Sequence, residues 1–202
     1  MASQLASKSA ISLKGSTDIV SEFFMYGINS ILYQRGIYPP ETFTRVQKYG
    51  LTLLVSTDPE LKKYLNTVLA QVKDWLQNLT IKKMVAVIKC SQTSEVLERW
   101  QFDIQCDKTA ANETAPRERS LQEIESQIKA IIRQITASVT FLPLLETSCV
   151  FDLLVYTDTG LEIPANWGES GPALISNSEE VRLRSFTTSI HAVDSMVAYK
   201  AE

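Results

Sequence analysis

The chain has 202 residues, 45% of them apolar and 21% charged, with a formal net charge of −3. That composition suits one globular domain with a buried core, and it excludes global disorder, a fibrous repeat and a generally basic nucleic-acid binder. No run approaches the roughly 18 apolar residues of a membrane span, and residues 1–13 lack a signal-like apolar stretch. An intracellular, reducing setting is therefore expected. Charge is unevenly spread: 17 basic and 15 acidic residues precede residue 150, against 3 and 8 after it, and 151–178 holds no Lys or Arg.

Residues 1–12, rich in Ser, Ala and Lys, read as a mobile segment. Ser16, Thr17 and Asp18 supply capping side chains ahead of Ile19, Val20, Phe23, Phe24, Ile28, Ile31 and Leu32, whose spacing predicts a first helix that stops at Gly36 and Pro39-Pro40. Gly27 inside it suggests close packing. Residues 51–55 read as a short buried strand. Asp58-Pro59 then caps a second helix with Leu61, Tyr64, Leu65, Val68, Leu69, Val72, Trp75 and Leu76 on one side.

The β-branched run 81–90 and the alternating run 96–106 predict an antiparallel hairpin closed by Ser91-Gln92-Thr93-Ser94. Residues 108–119 form a polar loop. Ser120-Leu121-Gln122-Glu123 is a capping-box pattern before a third helix striped with Leu121, Ile124, Ile128, Ile131, Ile132 and Ile135, with Arg133 on the opposite face. Two apolar strands follow, 139–145 and 149–157, the second with apolar residues on both faces, which predicts burial on both sides. The pattern stops over 158–177, where Gly160, Gly168, Gly171, Pro164 and Pro172 surround Trp167, and strand-like alternation returns over 181–199. The order predicts an α+β fold, three helices packed on a mainly antiparallel sheet.

Catalytic chemistry has little to draw on. His191 is the only histidine, no glycine loop for phosphate is present, and the cysteines Cys90, Cys106 and Cys149 have neither metal-ligand spacing nor the even count of a disulfide framework. No enzyme activity and no cofactor or metal are expected. Three features would suit a binding module: the 149–157 strand, which could accept a peptide as an added strand if one edge is open; the 158–177 loop; and Arg133-Gln134 beside the small Ala130 and Ala137. Each also has a plain reading as core strand, surface loop or solvated helix face.

Gly27-Ile28-Asn29-Ser30-Ile31-Leu32-Tyr33, Val96-Leu97-Glu98-Arg99-Trp100, Ile132-Arg133-Gln134-Ile135-Thr136, Thr140-Phe141-Leu142-Pro143-Leu144-Leu145 and Val197-Ala198-Tyr199-Lys200 resemble the HORMA family, in particular its spindle-assembly-checkpoint branch. The likeness runs over about 15–200. It implies a single HORMA domain over 13–202, with a mobile safety belt and terminal strands over 158–202 that trap a partner's closure-motif peptide as an extra strand. The receiving strand and belt would contribute Phe151, Leu153, Val155, Tyr156, Thr157 and Trp167. In an open state the terminal strands would take the ligand's place; in a closed state they would cross to the other side of the sheet.

The resemblance further implies partners: a kinetochore-bound coiled-coil receptor, the co-activator of the anaphase-promoting complex, a HORMA-like adaptor and an AAA+ remodeller, with no nucleic acid and no membrane. Open and closed copies would associate through Arg133, Gln134 and Phe141. Sequestering the co-activator would delay anaphase, and the implied localisation is nucleus, kinetochore and cytoplasm. Ser170, Ser178 and Ser195 lie where added phosphate charge could bias the switch. The alternatives are a HORMA accessory subunit of a translesion DNA polymerase using the same clamp, and, from another class, a small enzyme without a recognisable catalytic set.

Overall fold

A computed structural model describes residues 9–112 and 117–202. The order is β1 (Ser9–Ile11), α1 (Leu13–Gln34), β2 (Phe43–Lys48), β3 (Leu51–Ser56), α2 (Pro59–Gln77), β4 (Ile81–Cys90), β5 (Val96–Cys106), β6 (Arg117–Arg119), α3 (Leu121–Ala137), β7 (Cys149–Thr157), β8 (Ser178–Thr187) and β9 (His191–Lys200). Five strands form one antiparallel sheet in the order β7-β4-β5-β9-β8, and β1-β6 and β2-β3 are separate two-stranded ribbons.

Local chemistry sets the helix ends. α2 begins at Asp58, whose carboxylate accepts the Leu61 N–H, with Pro59 in the first turn. α3 begins at Ser120, whose hydroxyl accepts the Glu123 N–H, while the Glu123 carboxylate turns back to the Arg119 guanidinium. α1 ends in a left-handed Gly36 (φ 65°), and Ile37 N–H reaches back to Leu32 O, the geometry that glycine adopts without a Cβ clash.

Several sequence expectations are corrected. The first helix starts at Leu13, capped by Ser12 accepting from Gly15 N–H; Ser16 and Thr17 are buried within the helix rather than ahead of it. Ser9–Ile11 is a strand paired with Arg117–Arg119, so part of the expected mobile segment and part of the expected polar loop hold each other; residues 1–8 lie outside the described residues. Residues 139–145 form no strand: a 3-10 turn, Ser138–Thr140, leads into irregular chain, and Pro143 cannot donate to a ladder. β2 was not anticipated, since its side chains are exposed or half-buried and carry no apolar alternation. A Cβ on Gly27 would meet only Phe23 ring carbons, at 3.8 and 3.9 Å, so close packing does not require glycine there.

The helices lie on one face of the sheet. Val20, Phe23, Phe24, Ile28 and Ile31 of α1, the apolar stripes of α2 and α3, and Trp100, Phe102 and Ile104 of β5 share the main core. Phe23 meets Phe24, Phe102 and Phe186 with ring centroids 5.5, 5.8 and 4.9 Å apart, which brings the β8-β9 hairpin into that core. A buried ion pair ties the elements further. Arg35 at the end of α1 donates from Nε to both Glu98 oxygens (2.8 and 3.1 Å) and from its terminal nitrogen to Pro143 O (2.6 Å), and Trp100 Nε1 donates to Glu98 (3.2 Å).

Candidate functional site

Among the described residues β7 has a strand partner on one side only. It is an edge strand, and most of its residues are half-buried, so the expected burial on both sides gives way to an arrangement in which helices and a crossing loop cover its faces. The register Cys90↔Cys149, with Ser91 N–H bonded to Ser148 O, makes Cys90 and Cys149 a pair without mutual backbone hydrogen bonds. Alternation then turns the backbone groups of Phe151, Leu153 and Val155 away from β4, toward the open side. Leu153 N–H shows how that edge is satisfied: it is held at 3.0 Å by the carboxylate of its neighbour Asp152.

The open side of β7 faces a groove of about 740 Å³. Tyr64, Thr67, Val68 and Trp75 of α2 form one wall, 152–157 the floor, and Ile163 with Asn166–Gly171 the other wall. The sequence reading missed the α2 contribution. Tyr64, Val68 and Trp75 recur on one helix face, and that stripe reads as core because the sequence does not say which part of it the sheet leaves uncovered.

Phe151 packs between Tyr38 and Tyr64, with centroids 6.1 and 5.8 Å apart, and Leu153 and Val155 point into the same helix-side core. Burial, with the nearby Asp152 carboxylate, raises the pKa of Tyr64. Tyr156 lies on the opposite face of the sheet, its ring under Lys83 Nζ at 5.1 Å, and Thr157 ends the strand. Trp167 meets Trp75 edge-on with centroids 4.9 Å apart.

The 158–177 segment wraps the strand. It leaves β7 where Lys108 and Lys82 pair with Asp158 at 2.6 and 3.6 Å, contacts which, with desolvation opposing, hold that carboxyl below its ordinary pKa. Trp167 then packs on the helix side, whereas Ala173 packs against Val85, Val87 and Leu154 on the other face. The segment thus passes from one face of the sheet to the other around the β7 edge. It continues into the β8-β9 hairpin, of which β9 pairs with β5 on the far side of β4 and β8 forms the outer edge. Among the described residues the β7 edge away from β4 therefore carries no strand.

Arg133, Gln134 and Phe141 lie with α3 at the opposite end of the sheet, where the helix packs on β8. Arg133 is exposed and Phe141 is 40% exposed, while Gln134 Oε1 accepts Arg184 N–H of β8 at 2.6 Å. Gln127 Oε1 likewise accepts Thr187 N–H, at 3.2 Å, so two glutamines seven residues apart satisfy donors of the other edge strand. Ser170 and Ser178 are exposed. Ser195 is only 4% exposed, with no partner for its hydroxyl among the described residues.

His191 is structural. Its Nε2–H donates to Leu76 O (2.9 Å), so Nδ1 accepts from the Ser16 hydroxyl (2.6 Å), joining α1, α2 and β9 in the neutral tautomer. Burial lowers its pKa, with the Leu76 contact opposing. Among the described residues no group of three or more His, Cys, Asp or Glu is placed to hold a metal ion, and no helix is long and apolar enough to cross a membrane.

An edge strand with the chain's own C-terminal segment passing around it is the site's geometry, and the HORMA domain model matches residues 16–191. The chain belongs to the HORMA family. Within it, the chain is 66% identical to the mitotic spindle assembly checkpoint protein MAD2A of Homo sapiens over 200 residues, covering 99% of this chain and 98% of that protein. It is 47% identical to the mitotic spindle checkpoint component mad2 of Schizosaccharomyces pombe, covering 94% of each. A chain in the crystal structure of a mitotic checkpoint complex superposes with a TM-score of 0.83 at 45% identity, over 93% of this chain and all of that one. Caenorhabditis elegans HTP-2 bound to the HIM-3 closure motif shares the fold, with a TM-score of 0.77 at 13% identity over 96% of this chain and 93% of that one.

Proposed function

We propose that this chain is a spindle-assembly-checkpoint protein that traps closure-motif peptides against β7, with 158–177 as the belt. The observation that carries the reading is the open β7 edge, on which Leu153 N–H is satisfied by Asp152 beside a groove sized for an extended chain. A peptide carbonyl would replace the Asp152 contact. Side chains at alternate peptide positions would reach the helix-side pocket of Leu153, Val155, Trp75 and Trp167.

Among the described residues Asp152, paired with Lys89 at 3.6 Å, and Glu169 line the groove and no Lys or Arg does, so an apolar peptide carrying basic residues is the fitting ligand. The partners in this reading are the kinetochore coiled-coil receptor and the co-activator of the anaphase-promoting complex, whose capture delays anaphase in the nucleus, at kinetochores and in the cytoplasm. A HORMA-like adaptor and an AAA+ remodeller would return the chain to its open state. Self-association would use Arg133, Gln134 and Phe141. Because Gln134 is bonded to β8, that surface senses where the terminal hairpin sits.

Anion-exchange chromatography before and after incubation with a co-activator-derived peptide tests the clamp. Two slowly interconverting peaks that merge into one peptide-bound species support it; a single peak retaining no peptide contradicts it. Arg133→Ala is expected to abolish self-association while leaving peptide capture intact, as read by sedimentation and peptide retention.

A further inference from the structure

Cys90 closes β4 and Cys149 opens β7, and the two face each other across the antiparallel ladder. The Ser91 N–H to Ser148 O bond and the Cys90 N–H to Glu95 O bond, the latter directed toward β5, make this a pair without mutual backbone bonds. Such pairs bring Cα atoms to about 4.5 Å, inside the 4.4–6.8 Å window that a disulfide spans. We infer that Cys90 and Cys149 form a reversible cross-strand dithiol, an oxidation site at the base of the strand that carries the groove. Sequence spacing conceals it, because 58 residues separate the two and only the register unites them.

The surroundings divide the labour between the thiols. Cys90 is 5% exposed but sits against the exposed 91–95 turn. The Thr93 hydroxyl and the backbone N–H groups of Thr93 and Gln92 hold its thiol at about 7. Cys149 is half-buried and its thiol is pushed up by burial, with the Thr147 hydroxyl opposing, and it donates weakly to Thr147 O at 3.3 Å. Cys90 is therefore the attacking sulfur and Cys149 the resolving one. Cys106 stands apart on β5, donating to Ile81 O, its thiol pushed up to about 11 by burial.

With a peroxide as oxidant, the Cys90 thiolate attacks one peroxide oxygen, the O–O bond breaks and hydroxide leaves, giving a sulfenic acid. The Cys149 sulfur then attacks that sulfenic sulfur, the S–O bond breaks, and the departing hydroxide carries off the Cys149 proton as water. Two thiols are oxidised and one peroxide is reduced to two waters. A thiol reductant reverses the bond by exchange, which suits a reducing compartment, where such bonds are transient.

The test uses the full-length reduced chain treated with hydrogen peroxide, then digested without reduction for peptide mass mapping. The expected product is a Cys90–Cys149 linked peptide two hydrogens lighter than its parts, with one free thiol left of three and full recovery under dithiothreitol. The oxidised chain should melt about 5 °C or more above the reduced one, because the bond closes a long loop of the unfolded chain. Cys106→Ser should leave the linkage intact, and Cys149→Ser should leave Cys90 as a sulfenic acid trappable by a dimedone probe. A Cys90 sulfinic acid with Cys149 unmodified in the unsubstituted chain, or a linkage to Cys106, would overturn the assignment. Mapping the unsubstituted chain keeps the test independent of whether either serine variant folds.

Discussion

Trp167 stands edge-on to Trp75 with their ring centroids 4.9 Å apart, so the one aromatic ring of 158–177 packs on the helix that walls the groove. An aromatic pair in this geometry contributes about 0.5–1.5 kcal/mol beyond its area burial. Trp167→Ala is expected to release a bound closure-motif peptide about 3- to 10-fold faster, by the same energy range, while changing the melting temperature little, because 158–177 lies mostly at the surface. Peptide dissociation followed by fluorescence anisotropy reads the first, and calorimetry the second.

The Arg35–Glu98 pair is buried on both sides and links α1 and β5 to Pro143. Removing one charge strands the other in the core, which costs about 3–5 kcal/mol. Glu98→Gln should therefore lower the urea midpoint substantially, whereas Glu95→Gln, which breaks only the exposed contact with Lys200, should change stability by less than about 1 kcal/mol.

His191 gives the fold a pH dependence with a definite sign. Its folded pKa lies below the ordinary 6.5, so the unfolded chain takes up the proton first. The stability from neutral His191 is complete above about pH 6.5, the unfolded value, and is lost as pH falls through the lower folded value. Denaturation curves from pH 7.5 to 5.5 should show this decline, and His191→Gln should flatten it.

Ser195 sits between Val193 and Val197 on the buried side of β9. A carboxylate there has no partner and would have to be desolvated, which disfavours the closed arrangement. Ser195→Asp should shift the chain toward its other conformer and weaken peptide capture at least tenfold. Unchanged peptide affinity in this variant would exclude Ser195 as a control point.

Elements with local chemistry were legible from sequence. The Asp58-Pro59 and Ser120 caps, the isoleucine stripe of α3 and the 81–106 hairpin all appear where residue types and spacing placed them. The misreadings share a cause: apolar content says that a residue is covered, not by what. Residues 139–145 are apolar because Leu142 enters the core and Leu145 packs against it while Val139, Phe141 and Leu144 stay exposed, and β7 is apolar on both faces because helices cover one and Ala173 of 158–177 packs on the other. Ser16 looked like a cap because its hydroxyl is needed, but the need is the bond to His191, 175 residues away. The 158–177 segment stood out as irregular, yet its route around β7 is tertiary geometry that no local pattern encodes.

If β7 receives a peptide strand beneath 158–177, amide hydrogen exchange with and without a co-activator-derived closure-motif peptide will report it. The predicted result is strong new protection at Phe151, Leu153 and Val155, the amides that face away from β4, accompanied by slower exchange across 158–177. Protection confined to α3, or unchanged exchange at those three amides despite bound peptide, would contradict it.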